Sequence, residues 1–359
     1  MPTKCPQGFE AMPVVLLQHG GLTSLTGKTG LAMLRHRPGP IAVVIDPAHA
    51  DGSLAEITGI DRDVPIVRDL AEALPHQPAV AVVGLAPSGG VLPDPLRRDA
   101  LAALRAGLSL ASGLHTQLGE DPEFKQACQA GQWIWDLRRE PPNLQVGQAR
   151  AASLPCQRIL AVGTDMAVGK MSACLALEAA AKHGKLSCRF VGTGQAGLLI
   201  SGRGIPLDAV RVDYAAGAVE QAVLEAGAGL LKQDLLLVEG QGSLCHPGSS
   251  ATLPLIRGSQ PTALLMVHRA GQPTIERLPQ VPLPPLKELV SLCEALAAIA
   301  RPLGGGPTPK VKAIALNTAR LTAEDAELSL ETVRSDLGLP CEDPIRGHAD
   351  RLLQALLER

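Results

Sequence analysis

The chain has 359 residues, enough for two domains of ordinary size, and it is rich in apolar residues. No uninterrupted apolar stretch reaches the roughly 18 residues of a membrane-crossing helix, so no span is expected. A formal net charge of −2 with two Trp, one Tyr and three Phe argues against the basic, aromatic-lined groove that nucleic acid requires.

The eight cysteines are scattered, with no Cys-x-x-Cys and no histidine pair at ligand spacing, so neither zinc nor a disulfide framework is expected. The first eight residues lack the apolar segment of a secretory signal, and a cytoplasmic protein with free thiols is expected. So few aromatics require a core of Leu, Val, Ile and Ala, which suits helices packed on parallel strands.

Residues 1–12 read as a loose tail. Val14-Val15-Leu16-Leu17 predicts a first strand, followed by His19-Gly20-Gly21 and then Gly27-Lys28-Thr29. That last triplet resembles part of a phosphate loop. Leu22, however, stands where the first glycine belongs, and Gly20 and Gly21 are too far from Gly27. A helix start after a polar loop is the preferred reading of Lys28. Residues 41–46 predict a buried strand ending in Asp46, and further strands are expected over 66–67, 79–84 and 108–113. Helices are expected over 69–74 and 99–106. Strands alternating with helices predict a parallel α/β sheet, whose ligands bind in loops beyond the strands' carboxyl ends. Asp46, Ser88, Gly89, Gly90 and His115 fall in such loops. Each alone is a weak signal, since a strand-end Asp often only caps a helix. The segment 138–143 breaks the pattern, and the domains are placed at 1–150 and 151–359.

The second domain is organised around Gly163-Thr164-Asp165-Met166-Ala167-Val168-Gly169-Lys170-Met171-Ser172. Residues 159–162 form an apolar run before it, and an Ala/Leu-rich helix from 170 to 183 follows, closed by Gly184. Strand, glycine-bounded loop with Gly-Lys, then helix is the context of a phosphate-binding P-loop. Loop N–H groups and the helix N-terminus form the anion site, and Lys170 adds a positive charge. Five residues separate the two glycines instead of the usual four. Met171 also takes the position of the hydroxyl that normally ligands Mg²⁺. Ser172, turned about 100° round the helix, does not replace it. Phosphate binding is expected here; nucleotide hydrolysis is not.

A strand over 188–192 runs into Thr193-Gly194-Gln195, Gly202-Arg203-Gly204 forms a loop, and Val210–Asp213 precedes a helix over 214–231. Leu235-Leu236-Leu237-Val238-Glu239-Gly240-Gln241-Gly242 is an apolar strand ending in an acid and a glycine-rich turn. This pattern is Walker-B-like, so Glu239 is a metal ligand if Mg²⁺ is used; the competing reading is a loop or capping acid. His246 lies further along the same loop. A strand over 262–267 ends in His268-Arg269, residues 279–285 read as a Pro-rich connector, and 286–300 predict an amphipathic helix. The strand 311–316 ends in Asn317, which suits either a nucleotide base or a simple turn. Helices over 323–337 and 348–357 close the chain.

Gly163-Thr164-Asp165-x-x-Val168-Gly169-Lys170 resembles the P-loop of dethiobiotin synthetase, in the SIMIBI branch of P-loop proteins. The fuller set comprises that loop, Gly192-Thr193-Gly194-Gln195, the segment 213–220, Val238–Leu244 and His246-Pro247. With Ala86-Pro87-x-Gly89-Gly90, Ser112-Gly113-Leu114-His115 and Asp136-Leu137-Arg138, it resembles the DgcN family over nearly the whole chain. The resemblance implies an N-terminal Rossmann-like domain and a C-terminal P-loop NTPase-like domain. It also implies an acetyl transfer from acetyl-CoA to an acidic amino acid such as D-glutamate.

That chemistry needs a base for the amine and donors for the thioester oxyanion. Strand-end placement offers Glu239 or His246 as base and the N–H groups of the Gly240–Gly242 turn as donors. The P-loop residues Gly163 to Asp165 and Val168 to Ser172, with Gly240, Gly242 and Asn317, are the candidate phosphate and cofactor contacts. Gln195, Arg203, Asp213 and Gln241 are candidates for the substrate, and Arg203, Arg211 or Arg269 for its carboxylates. A small-molecule substrate and a homo-oligomer are expected. Two alternatives stand beside this reading. One is an ATP- and Mg²⁺-dependent ligase or kinase, with the metal on Glu239 or Asp165; the other is a non-enzymatic nucleotide-sensing switch.

Overall fold

The structure, a computed structural model, describes residues 4–86 and 92–358. Ser88, Gly89 and Gly90 lie outside the described residues. By contact the chain divides into two units, residues 1–143 with 195–202, and residues 144–194 with 203–359. Among the described residues no helix is long and apolar enough to cross a membrane.

The first unit carries strands β1 (Val14–Leu17), β2 (Ile41–Ile45), β3 (Ile66–Val67), β4 (Val80–Val83), β5 (Ser109–Ser112) and β6 (Ile134–Asp136). They pair in parallel in the order β3-β2-β1-β4-β5-β6. Every residue of β1 and β4 is buried, which is why these central strands read as unbroken apolar runs. Helices α1 (Lys28–His36), α2 (Leu54–Thr58), α3 (Leu70–Ala73), α4 (Asp94–Arg105) and α5 (Pro122–Ala127) connect them. Helix α4 begins five residues before the expected 99, because Pro95 in its first turn is pre-organised for a helix start.

The second unit contains β7 (Gln157–Gly163), β8 (Cys188–Val191), β9 (Leu235–Val238), β10 (Ala263–Arg269), the hairpin β11 (Thr274–Ile275) and β12 (Leu278–Pro282), β13 (Val311–Asn317) and β14 (Cys341–Glu342). The parallel sheet runs β14-β13-β10-β7-β9-β8, so β7 and its loop lie in the interior of the sheet. The antiparallel hairpin occupies part of the segment read from sequence as a Pro-rich connector. A two-stranded ribbon has only edges, so proline costs it little. The helices are α6 (Lys170–His183), α7 (Gln195–Ser201), α8 (Val212–Gly227), α9 (Thr252–Ser259), α10 (Leu286–Ala298), α11 (Ala323–Leu337) and α12 (Ala349–Leu357). Helix α8 stops short of the expected 231, where Gly229 takes a left-handed φ of 76°.

Helix α7 packs with the first unit, and no element was expected over 195–201. Arg37, 2% exposed, secures it by donating to Leu199 O at 2.8 Å and to Phe9 O at 2.6 Å. Gln195 at its start accepts from Arg138 Nη2 at 3.0 Å, and Gly113 leaves room for it: a Cβ there would lie 2.9 Å from that of Gln195.

One device recurs across both sheets. An acid at the end of one strand reaches sideways and binds backbone N–H groups in the loop after its neighbour. Asp46, beyond β2, accepts from Gly20 N at 2.8 Å and Leu22 N at 3.3 Å, after β1. Asp136, ending β6, accepts from Leu118 N and Gly119 N, after β5, at 2.9 and 2.8 Å. Asp343, beyond β14, accepts from Thr318 N, after β13, at 2.9 Å. Glu239, beyond β9, does the same after β8, at Thr193 N and Gly194 N. Each acid thereby satisfies backbone donors in the neighbouring loop.

Candidate phosphate-binding site

The loop between β7 and α6 is held in shape from outside. Lys170 Nζ donates to Asp165 O at 2.7 Å, Arg269 Nη2 to Ala167 O at 2.6 Å, and Asn317 Nδ2 to Val168 O at 2.9 Å. Ser243 Oγ donates to Thr164 O at 2.8 Å. With its carbonyls tied off in this way, the loop retains N–H groups for an anion, joined by the first-turn N–H groups of α6, which have no intrahelical acceptor. Gly169 caps α6 at φ 113°, a conformation suited to glycine. Ala167, at φ 49°, adopts the left-handed region without being glycine.

Lys170 is only 6% exposed, and two glycines make the space for it. A Cβ at Gly163 would lie 3.1 Å from Lys170 Cδ and Nζ. One at Gly240 would lie 2.8 Å from Lys170 Cδ and 1.8 Å from Ala161 O. Burial lowers the Lys170 ammonium to about 8, against the opposing pull of Glu239 and Asp165.

The acids near this lysine are already engaged. Asp165 Oδ1 accepts from Met166 N at 2.6 Å, and Oδ2 accepts from Gln272 Nε2 and Glu276 N, both at 2.7 Å. Glu239, 5% exposed, gives Oε2 to Thr193 N at 2.7 Å and Gly194 N at 3.3 Å. Burial pushes its carboxyl up to about 7, partly offset by those two N–H groups and by Lys170. Gln241 lies against Gly194, where a Cβ would meet its Nε2 at 2.2 Å. The turn continues through Gly242 at φ 64°, and Ser243 N donates to Ser249 Oγ at 3.1 Å.

His246 is half-buried, and its Nδ1 accepts from Gly248 N at 3.0 Å. That bond fixes the neutral ring as the Nε2–H tautomer, which can donate a proton but offers no free lone pair to take one.

The structure thus brings together Gly163 to Ser172, Thr193, Gly194, Glu239 to Ser243 and Asn317 within the second unit. Asp213 is exposed in the first turn of α8, and Arg203 is exposed between Gly202 and Gly204. Arg211 lies over the Tyr214 ring at 4.8 Å. Arg269 is turned to the loop carbonyl and to Glu276 Oε2, at 2.8 Å, rather than left open for a ligand carboxylate. Sequence reasoning missed Gln272, Glu276 and the contact of Thr164 Oγ1 with His268 Nδ1 at 3.0 Å. A strand-end His-Arg pair was the visible signal for part of this cluster; the hairpin residues carried none.

A glycine loop and buried lysine between the interior strand of a parallel sheet and a following helix define a P-loop protein, here joined to a Rossmann-like unit. Residues 145–353 match the family model described as DUF1611, a P-loop domain of unknown function. Residues 47–140 match its N-terminal companion, described as Rossmann-like. The chain belongs to the DUF1611 family, which bears out the resemblance carried by the motifs. It is 35% identical over 313 residues to a D-glutamate N-acetyltransferase of Tritonibacter scottomollicae, covering 86% of this chain and 90% of that protein. A D-glutamate N-acetyltransferase of a Pseudoalteromonas species is 33% identical over 277 residues, covering 77% and 80%. The crystal structure of a DUF1611 family protein from Anabaena variabilis is 50% identical, with a TM-score of 0.89 over 97% of this chain and 100% of that one.

Proposed function

We propose that the protein transfers an acetyl group from acetyl-CoA to the amino group of D-glutamate. The observation that carries this reading is the match, over most of the chain, to two relatives bearing that activity in their names. The site is compatible with it. Coenzyme A presents a diphosphate and a 3′-phosphate, and a cradle of N–H groups with Lys170 suits either. Met171 supplies no hydroxyl, both oxygens of Asp165 are engaged, and Glu239 Oε2 holds two N–H groups. This set favours phosphate bound as a free anion over a Mg²⁺–nucleotide complex.

In the reaction the acceptor ammonium first loses a proton. The amine nitrogen then attacks the thioester carbonyl, the C–S bond breaks, and the thiolate leaves to be protonated. Glu239 takes the first proton, since a carboxyl near 7 is matched to a base working at neutral pH. The Gly240–Gly242 turn offers N–H groups to the oxyanion.

The test supplies acetyl-CoA and ATP–Mg²⁺ separately, each with a panel of D- and L-amino acids. Thiol release that depends on D-glutamate is expected. ADP or phosphate release without thiol release would overturn the reading in favour of ligase or kinase chemistry.

A further inference from the structure

The geometry points to Glu276 as a positioning residue that shapes the phosphate loop before any ligand arrives. It lies between β11 and β12, outside the loop, and acts on it through two arms. Its backbone N–H holds Asp165 Oδ2 at 2.7 Å. Its carboxylate Oε2 takes Arg269 Nη1 at 2.8 Å, while the other tine of that guanidinium, Nη2, reaches Ala167 O at 2.6 Å. The remaining oxygen, Oε1, takes Arg320 Nη2 at 2.6 Å. One residue thus secures both ends of the segment 165–167.

The segment needs such a hold. A left-handed alanine is strained, and persists only where its surroundings over-determine it. Arg269 is the anchor at that point, and its planar fork must be oriented before both tines can meet their acceptors. Glu276 provides the orientation. Hydrogen bonds from Arg269 and then Arg320 hold its carboxyl down at about 2, so it stays ionised at neutral pH. Gln272 Nε2, in the turn just before the hairpin, adds a second donor to Asp165 Oδ2, so the latch is a small network. A loop fixed in this way presents its N–H groups without an ordering cost on binding, which raises affinity but not the rate of a bound complex.

This role rests on reading residues 163–170 as phosphate-binding, so the test has one arm that needs no ligand. Amide hydrogen exchange is followed in the ligand-free wild type, Glu276→Ala, Glu276→Gln and Glu276→Asp. Exchange in peptides spanning 163–169 should quicken by roughly 10-fold or more in Glu276→Ala, with Glu276→Asp partly restoring protection. Peptides from β1 to β6 should exchange as in the wild type, which separates loop loosening from general unfolding. The second arm is calorimetric titration with coenzyme A. Affinity should fall roughly 10- to 100-fold in Glu276→Ala, as for loss of a charge-assisted hydrogen bond. Where acetyl transfer is measured, KM for acetyl-CoA should rise while kcat stays within about 2-fold. Unchanged exchange over 163–169 in Glu276→Ala would overturn the positioning role. Failure of the wild type to bind coenzyme A would instead remove the proposed donor, while the exchange arm still decides the role of Glu276.

Discussion

The chain contains two Gly-Lys helix starts, and they differ in what surrounds them. Lys28, after Gly27, is exposed at the start of α1, whereas Lys170, after Gly169, is 6% exposed at the start of α6. In the first unit the glycine serves packing: a Cβ at Gly27 would lie 1.9 Å from Gly21 O. In the second, glycines on neighbouring strand ends, Gly163 and Gly240, clear a channel for the lysine stem. The dipeptide alone therefore does not make a cradle. The cradle comes from absent side chains around the lysine and from donors that tie the loop's carbonyls back.

Breaking that contrast should have graded effects. Glu239→Gln should cost most, about 10²- to 10⁴-fold in kcat, the usual worth of a general base. Wild-type activity should rise with pH through about 7 as Glu239 ionises, and the glutamine variant should lose that inflection. Stability carries the opposite sign. The native carboxyl sits near 7 against an ordinary 4.5, so the folded state binds the proton more tightly, and stability from this group falls as pH rises from 4.5 to 7. Melting temperatures across that window should show a slope that Glu239→Gln reduces. Asp46→Asn, at the corresponding strand end of the first unit, should lower the melting temperature without moving the activity inflection.

Lys170→Met should weaken coenzyme A binding on the order of 100-fold in calorimetry, through loss of a charged donor. Its melting temperature should fall as well, because Asp165 O loses the buried donor that Lys170 Nζ supplies. Gly240→Ala should destabilise by about 1–3 kcal/mol or more through overpacking, and should weaken ligand binding as well. Gly27→Ala meets a comparable backbone clash in the first unit and should destabilise without touching coenzyme A affinity. Lys28→Met should do least, within about 0.5 kcal/mol in thermal melts and about 2-fold in activity, as for an exposed position.

Much of the frame was legible because central parallel strands are buried on both faces. The runs that became β1, β2, β7, β9 and β13 needed no partner to be read. The P-loop was legible because its glycines and lysine answer to local geometry. Helix α7 was not, since a seven-residue helix opening with Gln195 and containing Gly197 is shaped by its tertiary contacts more than by its own pattern. The hairpin was hidden in a Pro-rich segment for the same reason. Roles were harder to read than positions. Composition and spacing located Asp165, Glu239 and His246, but not the hydrogen bonds that engage them. Only the Gly248 N–H on His246 Nδ1 shows that this ring has no lone pair to spare.

The strand-end acids have a consequence for selectivity. The loops after β1, β5, β8 and β13 each seat a carboxylate of the protein itself on their N–H groups. An anion arriving there would have to evict a tethered resident at very high effective concentration. Among the described residues, no side-chain acid occupies the N–H groups from Ala167 to Lys170 after β7. Among the described residues, those four loops carry an acid of the chain as resident on their N–H groups, and the segment from Ala167 to Lys170 does not.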